Sequence, residues 1–177
     1  MQIFNKMNIS SPDELFPVVD VDGNQIMVAP RRICHDGKSK LLHPVVHLHL
    51  FNNRGELFLQ KRALTKDLLP GCWDSSVGGH VSPGETIEDA LKRETLEELG
   101  LSDFSFGFIA KYVWESVRER ELVYSFRGNA DMEPLINRDE IDEGRFWNIN
   151  EIKANTGTGI FTPNLEHELY MLNIIQE

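Results

Sequence analysis

Alternating apolar and polar residues predict strands in the first third of the chain. Residues 18–28 indicate two short strands around an Asp22-Gly23 turn, so we expect an N-terminal β-hairpin at about 16–29. Residues 45–51 predict a further strand, and a turn at 52–55 leads into a partner at 56–62. In the first of these two strands, alternation places Val46, Leu48 and Leu50 on one face and Val45, His47 and His49 on the other.

The second half of the chain combines the alternation typical of strands with the spacing typical of helices. Residues 104–115 and 119–127 predict a hairpin, and residues 141–152 predict a strand that leads into a short helix or turn. Leucine and isoleucine at helical spacing predict a C-terminal helix over about 163–175, after a start signal at Thr162-Pro163. Strands, helices and antiparallel hairpins together favour an α/β fold with α/β/α layers around a mixed sheet.

The best-defined helix is predicted over residues 87–99. Thr86 is a suitable N-cap with Asp89 three residues later, and Gly100 suits a left-handed C-terminal stop. Leu91 and Leu99 mark its buried side.

Length and charge limit the function classes. The 177 residues suit one domain spanning 1–177, and the net charge of −10 argues against a nucleic-acid polymer or an anionic membrane as partner. The N-terminus lacks a signal-peptide pattern, and no stretch approaches the roughly 20 apolar residues of a membrane span. We therefore expect a cytoplasmic protein with a small-molecule substrate. The N-terminal hairpin is a candidate surface for a homodimer.

Residues 79–101 fit the pattern G-x5-E-x7-R-E-U-x-E-E-x-G-U, where U is aliphatic, with Thr95 as the one departure. This pattern is the Nudix box, and the chain resembles a Nudix hydrolase. Glu94, Glu97 and Glu98 stand at i, i+3 and i+4, so a helix places them on one face. Like charges at this spacing repel, and hard carboxylate ligands suit Mg²⁺ or Mn²⁺. A bare Glu-rich helix face is usually solvated surface, but here it is in register with a glycine loop upstream, formed by Gly78-Gly79 and Ser82-Pro83-Gly84.

The resemblance implies an α/β/α sandwich and a divalent-metal-dependent hydrolase of a small diphosphate, such as a nucleoside diphosphate derivative. The metal ligands would be Glu94, Glu97, Glu98 and the Gly79 carbonyl, and Glu97 or Glu98 would deprotonate water. Arg93 is expected to brace the loop through Glu85. Lys61 and Arg62 either reach a phosphate or end a strand.

Several segments outside the box are similar to the type I isopentenyl-diphosphate isomerase branch of the Nudix superfamily. They include Leu42-His43, residues 69–73, residues 76–80 and Glu119-Arg120-Glu121. In those isomerases histidines and an acidic pair hold a divalent ion, which implies a second metal site here. Its ligands would be His43, His80, Glu119 and Glu121, with His35 matching a further histidine at a spacing one residue longer. The alternating Glu119 and Glu121 also fit an exposed strand edge.

One isomerase position differs. The catalytic cysteine of the isomerases falls on Gly78, which cannot transfer a proton, whereas Glu121 falls on their other catalytic residue. Retention of all three helix glutamates favours hydrolysis. Isomerisation of an isoprenoid diphosphate and a non-catalytic nucleotide-binding module are the alternatives.

Overall fold

A computed structural model describes residues 13–66, 68–130 and 132–176. Its strands are β1 Leu15–Val19, β2 Gln25–Pro30, β3 Leu42–Phe51, β4 Leu57–Arg62, β5 Trp73–Asp74, β6 Val77–His80, β7 Ser105–Glu115, β8 Arg120–Asn129 and β9 Ile141–Trp147. Its helices are α1 Arg31–Cys34, α2 Ile87–Leu99, α3 Ile149–Asn155 and α4 Pro163–Met171. Among these residues no helix is long and apolar enough to cross a membrane.

The strands form a two-stranded hairpin and a mixed seven-stranded sheet. β1 and β2 make the predicted antiparallel hairpin. The large sheet runs β5-β4-β3-β8-β7, with β6 added to β3 and β9 added to β4. Among the strands named above, β3 and β8 pair in parallel and the other strand pairs of this sheet are antiparallel. The mixed sheet and its helices confirm the expected fold class.

The large sheet splits into two halves, and the candidate functional site lies at this split. β3 and β4 pair only where Phe51 meets Leu57. Beyond that point β3 pairs with β6, whereas β4 pairs with β5 and β9. The two halves of the sheet therefore diverge and leave a cleft between them.

Apolar cores cover both faces of the sheet and explain the alternation in β3. Val46, Leu48 and Leu50 pack with Leu91 and Leu99 of α2, as the pattern predicts. The opposite face packs under α3 and α4, and its core consists of Phe51, Leu57, Leu59, Trp73, Trp147, Ile152, Phe161, Leu165, Leu169, Ile174 and Ile175.

Two local predictions need correction. The glycines of residues 76–80 suggested a loop, but Val77–His80 forms strand β6, because pairing with β3 outweighs the low strand propensity of glycine. The last helix ends at Met171 rather than near 175, and Asn173 follows with a φ of 56°. Its apolar stripe continues through this turn, since Ile174 and Ile175 are buried in the same core.

Helix α2 begins and ends as predicted. Thr86 Oγ1 accepts a hydrogen bond from the Asp89 backbone N–H at 3.1 Å and donates one to the Asp89 carboxylate at 2.7 Å. Gly100 has a φ of 64°, and its N–H donates to the Leu96 carbonyl. Thr95, the departure from the aliphatic pattern, is buried and donates its hydroxyl hydrogen to the Leu91 carbonyl at 2.6 Å. The helix therefore tolerates this polar substitution.

We expect Thr86→Ala to lower the free energy of unfolding by about 1 kcal/mol, because the first turn of α2 loses its cap. Thr86→Ser keeps the hydroxyl and serves as the matched control. Chemical denaturation monitored by circular dichroism measures both. An alanine variant as stable as the serine variant would show that the cap contributes nothing.

Candidate functional site

The cleft at the split of the sheet is lined by polar side chains from several elements. They are Gln60, Arg62, Lys66, Asp74, Glu98 and Glu140, and the backbone of Gly78 completes the lining. Gln60 and Arg62 alternate on β4 and face the cleft, so Lys61, which the sequence places with Arg62, lies on the other face of the strand. The site thus draws on β4, β5, β6, α2 and two loops.

The side chain of Arg93 makes hydrogen bonds to several parts of the residue 79–101 segment. Its guanidinium makes two hydrogen bonds to Glu85, at 2.8 and 2.9 Å, as expected. It also donates to Glu94 at 2.7 Å, to Glu97 at 3.3 Å and to the His80 carbonyl at 2.9 Å. One side chain thereby connects helix α2, the loop before it and the end of β6.

Gly79 and Glu94 pack in direct contact. A Cβ at position 79 would lie 2.1 Å from the Glu94 carboxyl carbon, so a side chain there would displace the carboxylate. Burial raises the pKa of Glu94 to about 7, although Arg93 opposes the shift. Burial, with the charges of Glu94 and Glu140, raises the pKa of Glu98 as well. Glu98 accepts a hydrogen bond from Gln60 at 3.0 Å, and Glu97 is more exposed.

Such a carboxylate group fits a hard divalent cation. The raised pKa values show that the charged forms of Glu94 and Glu98 are disfavoured without an added positive charge. The Gly79 position leaves no room for a side chain beside Glu94. Oxygen donors at this density are the ligands that Mg²⁺ and Mn²⁺ prefer.

The sequence alone did not identify Glu140 as part of the site. It lies in the turn before β9, forms an ion pair with Lys66 at 3.2 Å and adds negative charge beside Glu98. No local pattern marks it, because only the fold brings residue 140 to α2. The cleft therefore contains a carboxylate outside the box.

A second cluster lies at the other end of β6. His35, His43 and His80 have ligand atoms within 4.8 Å of one another, and so do His43, Glu119 and Glu121. His35 Nε2 lies 3.2 Å from both His80 Nε2 and Glu119 Oε2. The structure thus brings together the five residues that the resemblance suggested, and the acidic pair is partly buried rather than an exposed edge.

The protonation of this cluster also suits a cation. His43 Nδ1 bonds the Leu41 carbonyl at 2.9 Å and so carries the proton, which leaves the buried, otherwise unpartnered Nε2 as a lone-pair donor. Burial, with the positive charge of Arg31, lowers the pKa of His35 to about 3, and burial lowers that of His43 to about 4. Burial and the charge of Glu119 raise the pKa of Glu121 to about 8. Neutral histidines beside carboxylates are competent metal ligands.

The N-terminal hairpin covers the histidines. Phe16 of β1 stacks on His80 with ring centroids 4.2 Å apart and an interplanar angle of 7°, and on His43 at 5.4 Å. Phe16 is buried. This contact, which no sequence pattern indicated, gives the hairpin a role in shaping the cluster.

His47 and His49 lie outside the cluster, on the face of β3 that meets α4. His47 Nδ1 donates to buried Glu168 at 2.9 Å, and His49 Nε2 lies 3.2 Å from the same carboxylate oxygen. Burial alone lowers the pKa of His47, but the charge of Glu168 and the hydrogen bond to it raise this pKa to about 9. These side chains form a buried charged group between the sheet and the last helix.

Known proteins resemble this chain in sequence and fold. Residues 41–165 match the NUDIX domain family. The isopentenyl-diphosphate Delta-isomerase 2 of Photorhabdus laumondii is 31% identical over 157 residues, covering 85% of this chain and 87% of that protein. An uncharacterized Nudix hydrolase of Listeria monocytogenes is 32% identical over 69% of this chain and 73% of its own length. The crystal structure of DR0079 from Deinococcus radiodurans has a TM-score of 0.76 at 23% identity, covering 92% of this chain and all (100%) of that one.

The raised carboxyl pKa values predict how metal binding depends on pH. In the folded chain the pKa is about 7 for Glu94 and about 8 for Glu121, above the ordinary value of 4.5. The protonated forms of these two carboxyls therefore contribute to the stability of the folded chain. This contribution is complete below pH 4.5 and is lost as pH rises through 7 to 8. The lowered pKa values of His35 and His43 make stability depend on pH only below pH 6.5, outside this window.

We expect the metal-free protein to lose thermal stability between about pH 6.5 and about pH 8.5, because Glu94 and Glu121 finish ionising in the folded chain there. His47, whose pKa is raised to about 9, contributes a loss in the same direction that does not involve the metal ligands. Mn²⁺ or Mg²⁺ should raise the melting temperature more at the higher pH, since it binds the deprotonated ligands. Differential scanning fluorimetry with and without metal measures this. An equal metal-induced shift at both pH values would contradict the assignment of these carboxyls as ligands.

Proposed function

Because the chain belongs to the NUDIX domain family, we propose that it is a Mg²⁺- or Mn²⁺-dependent hydrolase of a small diphosphate compound, such as a nucleoside diphosphate derivative. The observation that carries this proposal is the carboxylate set of α2, in which Glu94 packs against Gly79 and Glu98 lines the polar cleft. A divalent ion bound there would neutralise diphosphate oxygens and acidify an attacking water.

The chain's own residues divide the remaining tasks. Glu94, Glu97 and the Gly79 carbonyl would hold the cation, and Arg93 would keep them in place through its contacts with Glu85 and α2. Arg62 is positioned to attract a phosphate, and Asp74 orients its guanidinium at 3.0 Å.

Glu98 is the general base that we favour. It is buried in the cleft and held by Gln60. Without a cation its raised pKa favours the protonated carboxyl, and a bound divalent ion would favour the ionised form. In that form the basic carboxylate would accept a proton from water more readily than an ordinary exposed carboxylate. The same site would act on a substrate small enough to enter between the two halves of the sheet, in keeping with a net charge of −10 that disfavours polyanions.

We expect Glu98→Gln to lower kcat on the order of 10³-fold, because the base is removed. The fold should persist, since the amide is close in shape to the protonated carboxyl that burial favours. Product release is measured over a Mg²⁺-supplemented panel of nucleotide sugars, dinucleotides, coenzyme A, thiamine and isoprenoid diphosphates. Glu88→Gln, in the exposed first turn of the same helix, is the matched control.

Two outcomes of this assay would contradict the proposal. Turnover by Glu98→Gln close to that of the unmodified protein would remove Glu98 from the chemistry. Tight ligand binding without turnover by the unmodified protein, over the whole panel, would indicate a nucleotide-recognition module instead.

The second candidate is isomerisation of an isoprenoid diphosphate. The histidine and glutamate cluster favours it, as does the similarity to the Photorhabdus isomerase. Against it stands Gly78, the position that corresponds by resemblance to the cysteine of the isomerases. A side chain is sterically allowed there, because a Cβ would lie 3.7 Å from His47 and from Ser75.

We expect the unmodified protein to incorporate no deuterium when incubated with isopentenyl diphosphate in deuterated water, because Gly78 offers no proton donor. Gly78→Cys supplies a thiol at an accessible position without steric conflict. Mass spectrometry of the recovered substrate measures the exchange. Rapid exchange without phosphate release by the unmodified protein would favour isomerisation over hydrolysis, and exchange by the cysteine variant alone would identify Gly78 as the residue that separates the two activities.

A further inference from the structure

The starting point is the space beside Gly78. Gly78 lines the cleft and is exposed, and it pairs with His47 across β6 and β3. A Cβ placed on Gly78 would lie 3.7 Å from His47 Cδ2 and 3.8 Å from His47 Nε2. The edge of the imidazole that carries Nε2 therefore faces the gap left by the absent side chain.

The other edge of this imidazole is fixed. Nδ1 donates to Glu168 at 2.9 Å, and Glu168 is 1% exposed, so the carboxylate cannot turn to solvent. A carboxylate can only accept, so Nδ1 carries a proton and the ring orientation is set. The side chain of His47 is 11% exposed, and its Nε2 edge lies beside Gly78, which borders the cleft.

The groups around His47 leave this donor available. Besides Glu168, the acids whose charges act on His47 are Glu121 and Asp74. Glu121 belongs to the histidine and glutamate cluster. The oxygens of Asp74 already accept from Arg62 at 3.0 Å and from Thr162 at 2.8 Å. The charge of Glu168 keeps His47 cationic, because it raises the pKa of the imidazole against the effect of burial. A fixed cation with a free N–H edge is a binding group for an anionic oxygen.

We infer that His47, oriented by Glu168, contacts the substrate and donates from Nε2 to a phosphoryl oxygen at the place where Gly78 has no side chain. This inference rests on the proposed function, since it names a further binding residue of the same cleft. His47 supplements the metal and Arg62 from the opposite half of the sheet. The absence of a side chain at position 78 opens the route to it.

The test uses methylenediphosphonate, which resembles a diphosphate and cannot be hydrolysed. Its affinity is measured by calorimetry in saturating Mg²⁺ for the full-length protein and its variants. Gly78→Ala adds a methyl group in ordinary van der Waals contact with His47 and covers its Nε2 edge, while the His47–Glu168 pair stays intact. Gly107→Ala is the matched control, because a Cβ there meets no atom within 4 Å.

We expect Gly78→Ala and His47→Leu each to weaken binding by about tenfold or more, as for loss of a charge-assisted hydrogen bond. With a substrate that turns over, KM should rise more than kcat falls. Glu168→Gln keeps the shape of the pair but removes its charge, and should weaken binding in the same direction. Gly107→Ala should bind as the unmodified protein does. Mn²⁺ affinity should stay unchanged in all variants, which separates this effect from damage to the metal ligands.

Unchanged affinity and KM in Gly78→Ala and Glu168→Gln would overturn the inference, even if His47→Leu fails to fold. In that case hydrolysis by the unmodified protein would leave the proposed function standing. Probe binding that depends on His47, in a protein that turns over no diphosphate, would support the inference and contradict the hydrolase. Absence of both binding and turnover would reject the two together.

Discussion

The guanidinium of Arg93 is the contact on which the geometry of the site depends. It binds Glu85 in the loop, Glu94 and Glu97 on α2, and the carbonyl of His80 at the end of β6. Carboxylates crowded on one helix face repel one another, so a fixed positive charge among them is needed to hold them before any metal binds. Because the same side chain anchors β6, it sets the distance between the helix acids and the histidines.

Strand β6 is therefore shared by two groups of ligands. Gly79 faces the carboxylates of α2, whereas His80 belongs to the histidine cluster under Phe16. Gly78 precedes both residues in the strand and borders the cleft. In a strand, neighbouring residues point to opposite faces, so a four-residue element serves both sides of the sheet. The divergence of β3 and β4 opens the space that the substrate would enter.

Local signals explain how much of this could be predicted. The bounds of α2 follow from Thr86 and Gly100, which act within a few residues of the chain, and the alternation of β3 fixes its two core faces. Glu140 and Phe16 have no such signal, since only tertiary contacts bring Glu140 to the cleft and Phe16 to the histidine cluster. Glycine propensity wrongly favoured a loop over β6, because the pairing partner is more than 30 residues earlier in the chain, as the partners Val46 and Gly79 show.

Glu168 shows why a periodic pattern can hide a polar function. The leucine stripe of α4 correctly predicts a buried helix. The role of the buried Glu168 on that helix becomes clear only from the fold, which places His47 and His49 opposite it. An ionised carboxylate in an apolar core is costly unless a cation accompanies it, so the pair favours a charged imidazole beside Gly78, at the border of the cleft. Gly78 then determines whether this charge is covered or reachable. In this fold, the chemistry of the cleft depends on an absent side chain as much as on the carboxylates of the box.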